Sequence, residues 1–449
     1  MSRRACRRCG AVVTSGAGHL IRTTVFENGE RMPILVDARS GLPLFDPCIF
    51  ACTEIRPRTG SAATVEQALR GVQVLLAFVD DRQIDVAQRI ATGRFLDLCE
   101  LDELVTVVHL PLSTAATSKR SLASMQNRPA VVNLDRVRKR APKQAEEVTV
   151  AISTVAIRLY YAGCYLQWLG HRAAKQVCAS LEQKNDYMER LAQFLDQLRA
   201  RTPNARSQST RMGLTAEQKA ELVRLTDPAC PDNPWAGNFV RDRNRLIVLW
   251  GLGTGLRRGE LLGLRIRLLD FRRNMASIMR RPDDKSDPRK YQPNAKTFER
   301  VIGISEELAF LTHQHIVEHR TRVRGARKHD FLFVAERTGR PLSLAGFSKV
   351  FRSLREQHQV VGHALTAHVL RHTWNEDFSD IADQAGLSPE DELRARNHAM
   401  GWSDLSKTAD QYLRRRTHRL ATEASRRIQH AVIGSGCQGT EHAQVEDRR

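Results

Sequence analysis

The chain has 449 residues, 41% of them hydrophobic, and its 70 Lys and Arg against 50 Asp and Glu give a formal charge of +20. That balance favours a polyanionic partner held by salt-sensitive contacts, although a ribosome-associated or merely soluble basic protein has the same charge. No apolar run approaches the ~20 residues of a membrane span, the Arg-rich start lacks a following apolar segment, and nine scattered cysteines do not make a disulfide framework. A cytoplasmic, nucleoid-associated protein of two or three domains is expected, with no membrane partner.

Residues 1–55 form an amino-terminal segment of unassigned role, with short β-like runs such as Met32-Pro33-Ile34-Leu35-Val36 between Gly and Pro breaks. Cys6-x-x-Cys9 and Cys48-x-x-x-Cys52 have ligand-like spacing and could together make a four-thiolate zinc knuckle, although cysteine equally serves as a small core hydrophobe. From Thr64 the period turns helical, with Val65, Leu69, Val72, Leu75, Leu76 and Val79 on one face. A second helical block begins near Val150 and carries Ile157, Leu159, Tyr160, Cys164, Leu166, Trp168 and Leu169. These blocks outline a helical domain over residues 56–200. A polar insertion near 109–147 interrupts it and holds the basic run Arg136, Arg138, Lys139 and Arg140, a solvated loop or a phosphate-tracking arm. Residues 201–213, with Pro203, read as a basic linker.

A further domain spans residues 214–430. Thr215 is placed to N-cap its first helix, and Leu246, Ile247, Leu249 and Trp250 mark a buried helix ending at Gly251 to Gly255. Arg257 then opens another helix, near backbone N–H groups that favour an anion, and Glu260 three residues on could hold an arginine in place. The period next changes to that of strands in Met275–Arg280 and Arg300–Ile304, with a Pro/Asp/Lys-rich excursion between them. Lys296 lies at the tip of that excursion, where Lys285 and Lys290 compete for any role. Residues 431–449 read as a disordered tail.

Two arginines, Arg257 and Arg371, stand with His368, the indole of Trp402 and the phenol of Tyr412 in this domain. A phosphodiester gains negative charge in its pentavalent transition state, so attack without a metal needs fixed cationic donors, and the arginine fork suits phosphate oxygens. A phenol is a weak nucleophile until a base or cationic field assists, and the departing oxygen needs a general acid. A lysine desolvated beside other cations is a usable acid.

The ordered set Thr254-Gly255-Leu256-Arg257-x-x-Glu260-Leu261, a lysine between two strands, His368-x-Leu370-Arg371-His372-Thr373, Met400-Gly401-Trp402 and Tyr412-Leu413 resembles the tyrosine recombinase (phage integrase) family over roughly residues 214–430. The resemblance implies a mainly α fold with a small antiparallel β-sheet, a helical core-binding domain at 56–200 and a mixed α/β catalytic domain. By the same resemblance Arg257 and Arg371 clamp the scissile phosphate, His368 assists proton transfer and Lys296 is the general acid. Trp402 stands where most members have histidine and can donate a hydrogen bond but not shuttle a proton. Tyr412 is the nucleophile that forms a 3′-phosphotyrosine, and Glu260 and His372 are supporting, His372 turned away from the site. No cofactor is implied. The implied partners are double-stranded DNA, a homo-tetramer on paired sites and accessory DNA-bending or recombinase proteins. A type IB topoisomerase shares the chemistry, and a catalytically silent DNA-binding regulator shares the fold. The sequence departs from the family at the Met-Gly-Trp, in the long interval from His368 to Trp402, and in the extra residues before Lys296.

Overall fold

A computed structural model describes residues 18–59, 61–112, 149–204, 213–295, 297–362, 364–403, 406 and 421–432. The chain divides into two compact units, 1–208 and 209–449. The fold is mainly α-helical with two small antiparallel sheets.

In the amino-terminal unit, β1 (His19–Val25) and β2 (Arg31–Asp37) form a hairpin in which Ile21 faces Leu35 and Leu20 faces Val36. Its turn uses Gly29 at φ 92°, a backbone state that costs a side chain dearly. A continuous helical run follows, α1 (Phe45–Phe50), a π-helical turn Ala51–Ile55 and α2 (Arg56–Thr59). Then come α3 (Ala62–Asp81), α4 (Val86–Ala91), α5 (Leu98–Val108), α6 (Ile152–Val177) and α7 (Leu181–Ala200).

The apolar face read from Val65 to Val79 is the buried face of α3, and it shares one core with Met32, Leu35, Phe50, Leu159, Leu166 and Leu191. Residue 55, where a boundary is expected, lies inside the run from Phe45 to Thr59, and the hairpin shares its core with α3. Close helix contact explains two glycines. A Cβ on Gly71 would sit 2.8 Å from the Arg158 carbonyl, and one on Gly170 2.6 Å from the Leu191 side chain. Among the described residues α3 alone is long and apolar enough to cross a bilayer, which no run in the sequence had suggested, and its apolar side chains are taken up by this core.

The carboxy-terminal unit opens with α8 (Ala216–Leu225), where Thr215 and Gln218 cap each other reciprocally. Helix α9 (Asn238–Thr254) buries Leu246, Ile247 and Trp250, ends on Gly255 in the left-handed region at φ 61°, and gives way to α10 (Arg258–Gly263). A three-stranded antiparallel sheet in the order β3 (Leu269–Asp270), β4 (Met275–Ile278), β5 (Arg300–Gly303) follows. The remaining helices are α11 (Glu306–Gln314), α12 (Leu344–Gln357), α13 (Ala367–Gln384) and α14 (Pro389–Met400), and residues 421–432 are helical. Helices α9 and α13 pack so closely that a Cβ on Gly251 would stand 2.7 Å from Leu370. That contact sets the neighbouring Arg371 beside the end of α9.

The insertion from 113 to 148, with Arg136, Arg138, Lys139 and Arg140, lies outside the described residues. So do most of the linker (205–212) and all of 433–449. Cys6 and Cys9 lie outside them too. Cys48 and Cys52 share the helical run after β2; the Cys48 thiol donates to the Leu35 carbonyl, and burial first of all pushes both thiols up.

Candidate active site in the carboxy-terminal unit

The left-handed turn at Gly255 reverses the chain so that Arg257 becomes the N-cap of α10. Its backbone N–H donates to Glu260 Oε2 at 2.7 Å. The helix start expected to welcome an anion is thus already served by a carboxylate three residues on, and what Arg257 offers a phosphate is its side chain. Gly259 faces the chain between the strands: a Cβ there would lie 2.4 Å from the Asn294 carbonyl oxygen. Only a glycine lets this loop lie against α10.

Glu260 is the buried centre of the site. It accepts from Arg300 Nη1 at 2.8 Å and from the Thr297 hydroxyl, and it stands 4.0 Å from Arg371 Nη1. Burial alone would raise its pKa, but the hydrogen bond and charge of Arg300, with Thr297 and the Arg257 amide, outweigh burial and hold it below the usual carboxylate range. Glu260 does hold arginines in place, and the nearest is Arg300 on β5. Arg300 also donates through Nε to the Ala399 carbonyl at 2.7 Å, at the end of α14. Nothing in the motif marked Arg300, yet a period-2 reading of β5 would have turned it inward with Ile302, and the burial along the strand alternates in that way.

Arg371 is buried on α13 and donates to the Gly255 carbonyl at 2.7 Å. His368, one turn earlier, is exposed, and its ring meets that of the buried His372 edge-on at 4.5 Å. His372 does not line the cavity that opens over these residues; four residues on along the helix, it packs beneath His368. Helix α14 ends on Gly401 at φ 63°, and the Trp402 amide closes the turn onto the Asn397 carbonyl at 2.9 Å. The indole that follows lies under both guanidinium groups, 5.2 Å from that of Arg371 and 5.9 Å from that of Arg257, cation–π distances that hold the cations side by side. The long interval between His368 and Trp402 is filled by the rest of α13 and by α14.

A cavity of about 520 Å³ opens over this group, lined by Arg257, Arg371, His368, Asn294, Thr366 and Arg355 among others. Four of the expected residues, Arg257, His368, Arg371 and Trp402, are thereby brought together from α10, α13 and the end of α14. Lys296 and Tyr412 lie outside the described residues. The neighbours of position 296 are described. Asn294 lines the cavity, Thr297 donates to Glu260, and the Phe298 amide donates to the Gly401 carbonyl at 3.0 Å. Lys285 and Lys290 are exposed and do not line the cavity.

The excursion before Lys296 is a built element. Arg289 pairs with buried Asp287 at 2.8 Å and donates to the carbonyls of Leu262 and Leu342, while Arg265 pairs with Asp284 and with Asp330. Both guanidinium groups lie over the Phe331 ring, at 4.6 and 4.2 Å. The amino-terminal unit has a cavity of similar size, about 570 Å³, lined by Arg58 and Arg172, which pair with Glu54 and Asp46, and also by His171 and Lys175.

Residues 220–419 match the family model described as "Phage integrase family". The chain carries a phage integrase domain. No curated protein sequence matches. Among solved structures the chain is similar to the Tn1549 transposon integrase in complex with a circular intermediate DNA (18% identity, 66% of this chain and 97% of that one, TM-score 0.36). It is also similar to the XerH site-specific recombinase bound to palindromic difH substrate in a post-cleavage complex (15%, 76% and 95%, 0.39) and to a lambda integrase tetramer bound to a Holliday junction (14%, 86% and 96%, 0.32). In the integrase domain the family match runs from α8 through α14, and so takes in every residue of the cavity named above.

Proposed function

We propose that the chain is a site-specific DNA recombinase or integrase, serving the integration or excision of a mobile element, that cleaves and rejoins DNA through a 3′-phosphotyrosine at Tyr412. The observation that carries this is the convergence of Arg257 and Arg371 over one indole, with His368 on the same cavity wall. Two fixed guanidinium groups suit the two non-bridging oxygens of a phosphodiester, and their charge counts most where charge grows, in the pentavalent state. Glu260, buried behind them, neutralises part of their mutual repulsion without entering the cavity lining. His368 moves a proton at a phosphate oxygen, Trp402 donates from its indole N–H, and Lys296 protonates the departing 5′-oxygen. The phosphotyrosine conserves the bond energy until a 5′-hydroxyl of another strand attacks. Double-stranded DNA is the substrate, and a homo-tetramer on paired sites, with accessory DNA-bending or recombinase proteins, is the working assembly.

The test is a nicked suicide duplex carrying the cognate site. Wild type is expected to become covalently attached and Tyr412→Phe is not; attachment of Tyr412→Phe, or none by wild type on the DNA flanking its own gene, overturns the proposal. A bridging phosphorothiolate, whose leaving group needs no proton, should restore cleavage by Lys296→Ala; restoration of Lys285→Ala or Lys290→Ala instead would move the acid. Plasmid assays then separate exchange between two sites from the relaxation of a type IB topoisomerase.

A further inference from the structure

Behind Arg371 and Trp402 lies a second polar cluster that the proposed chemistry does not use. Arg396 on α14 is fully buried, and so are Glu392 one turn before it and Asn375 on α13, while Ser379 is nearly so. Arg396 donates through Nη1 to the Asn375 carbonyl at 2.7 Å and to Asn375 Oδ1 at 3.1 Å, and through Nη2 to Ser379 Oγ at 2.7 Å and to Glu392. Ser379 Oγ donates in turn to Glu392 Oε1 at 3.0 Å, and the guanidinium lies 4.8 Å from the centre of the Phe378 ring. With its Oδ1 fixed, Asn375 can turn only its Nδ2 outward. That atom donates to the Arg371 carbonyl at 2.8 Å and reaches Met400 Sδ at 3.6 Å.

Burying an ion pair costs desolvation that apolar side chains of the same volume would avoid, so stability alone is a poor account of this cluster. Its geometry is more telling. It ties α13 one turn after Arg371 to α14 next to Asn397, whose carbonyl receives the Trp402 amide. We infer that the Arg396–Glu392–Ser379–Asn375 cluster is a positioning device that locks the register of α14 on α13 and so sets the Trp402 indole under Arg371. The inference rests on the proposed function, in which Arg371 and Trp402 meet the phosphate; the four residues themselves do not touch it.

Two variants test it on the full chain. Arg396→Lys keeps the charge beside Glu392 but cannot reach Ser379, the Asn375 carbonyl and Asn375 Oδ1 together. Glu392→Leu/Arg396→Met removes the ions and keeps the volume. Both are expected to stay folded by circular dichroism and to bind duplex within about threefold of wild type, while single-turnover cleavage of the nicked duplex falls about tenfold or more, the scale on which small misplacements act. Cleavage that merely follows the folded fraction, or equals wild type in either folded variant, overturns the inference, and so does failure of both to fold, which would make the cluster a folding element. Absence of cleavage by wild type is a different result and strikes the proposed function instead.

Discussion

The two units bury different things. The amino-terminal core is leucine, valine and aromatic side chains on α3, α6 and α7, and among the described residues its buried cations are Arg31 and Arg158. Arg158 donates to the carbonyls of Val108 and Leu110, both at 2.8 Å, and so anchors the end of α5. The carboxy-terminal unit buries Arg243, Arg265, Arg289, Arg300, Arg320, Arg371 and Arg396, with Glu260, Asp287 and Glu392 among them. The cost shows at Arg243, where burial pulls the guanidinium down to about 10. A fork with five donors can bracket several carbonyls and carboxylates at once, which apolar packing cannot do. One unit needs a core; the other also needs angles.

Substitutions sharpen this contrast. The largest expected effect is on catalysis: Arg257→Ala and Arg371→Ala should each lower cleavage of the nicked duplex by ~10² or more, with duplex binding largely kept, because a transition-state donor is lost. Cleavage near the wild-type rate in either variant would break the assignment of the clamp.

Arg300→Met should cost about 3 kcal/mol in urea denaturation, since it leaves Glu260 buried without its main partner, and Glu260→Leu/Arg300→Met should recover most of that loss. If the double variant is as unstable as the single, Arg300 acts by filling space. In the amino-terminal unit no such rescue is needed: Ile90→Val, at a buried site, should cost about 1 kcal/mol and leave cleavage by the bound complex unchanged. A change in cleavage there would break the contrast from the other side.

The smallest effect is on pH. The pKa of Glu260 is depressed in the folded state, so its stabilisation is present above the ordinary carboxylate value of ~4.3 and is lost as pH falls below it. Glu260→Gln should therefore be less stable than wild type in urea near neutral pH, and the gap between the two should narrow as pH falls below that value; a gap that stays constant into acid would show that the charge of Glu260 is not what stabilises.

The same contrast explains what could be read in advance. Helix α3 was legible because apolar residues recurring on one face have one structural solution, and Thr215 because a capping hydroxyl sits at a fixed offset from Gln218. Arg257, His368, Arg371 and Trp402 could be singled out by type and order, and the structure brings these four together; the phosphate chemistry proposed for them awaits the cleavage assays. Arg300 and Arg396 could not be singled out, since no local pattern says which of many arginines is turned inward, and the partners that decide it are distant along the chain. The hairpin was seen as strands but not as a lid on α3, because its covering role depends on a helix it does not touch in sequence.

One consequence concerns the loop that leads to Lys296. Arg265 and Arg289 hold that loop through separate carboxylates, yet both lean on the Phe331 ring. Two anchors that look redundant thus share a single footing. An aliphatic side chain of similar bulk at position 331 would loosen both together, without altering any charge, and would release the described part of this loop while leaving Arg257 and Arg371 over the Trp402 indole.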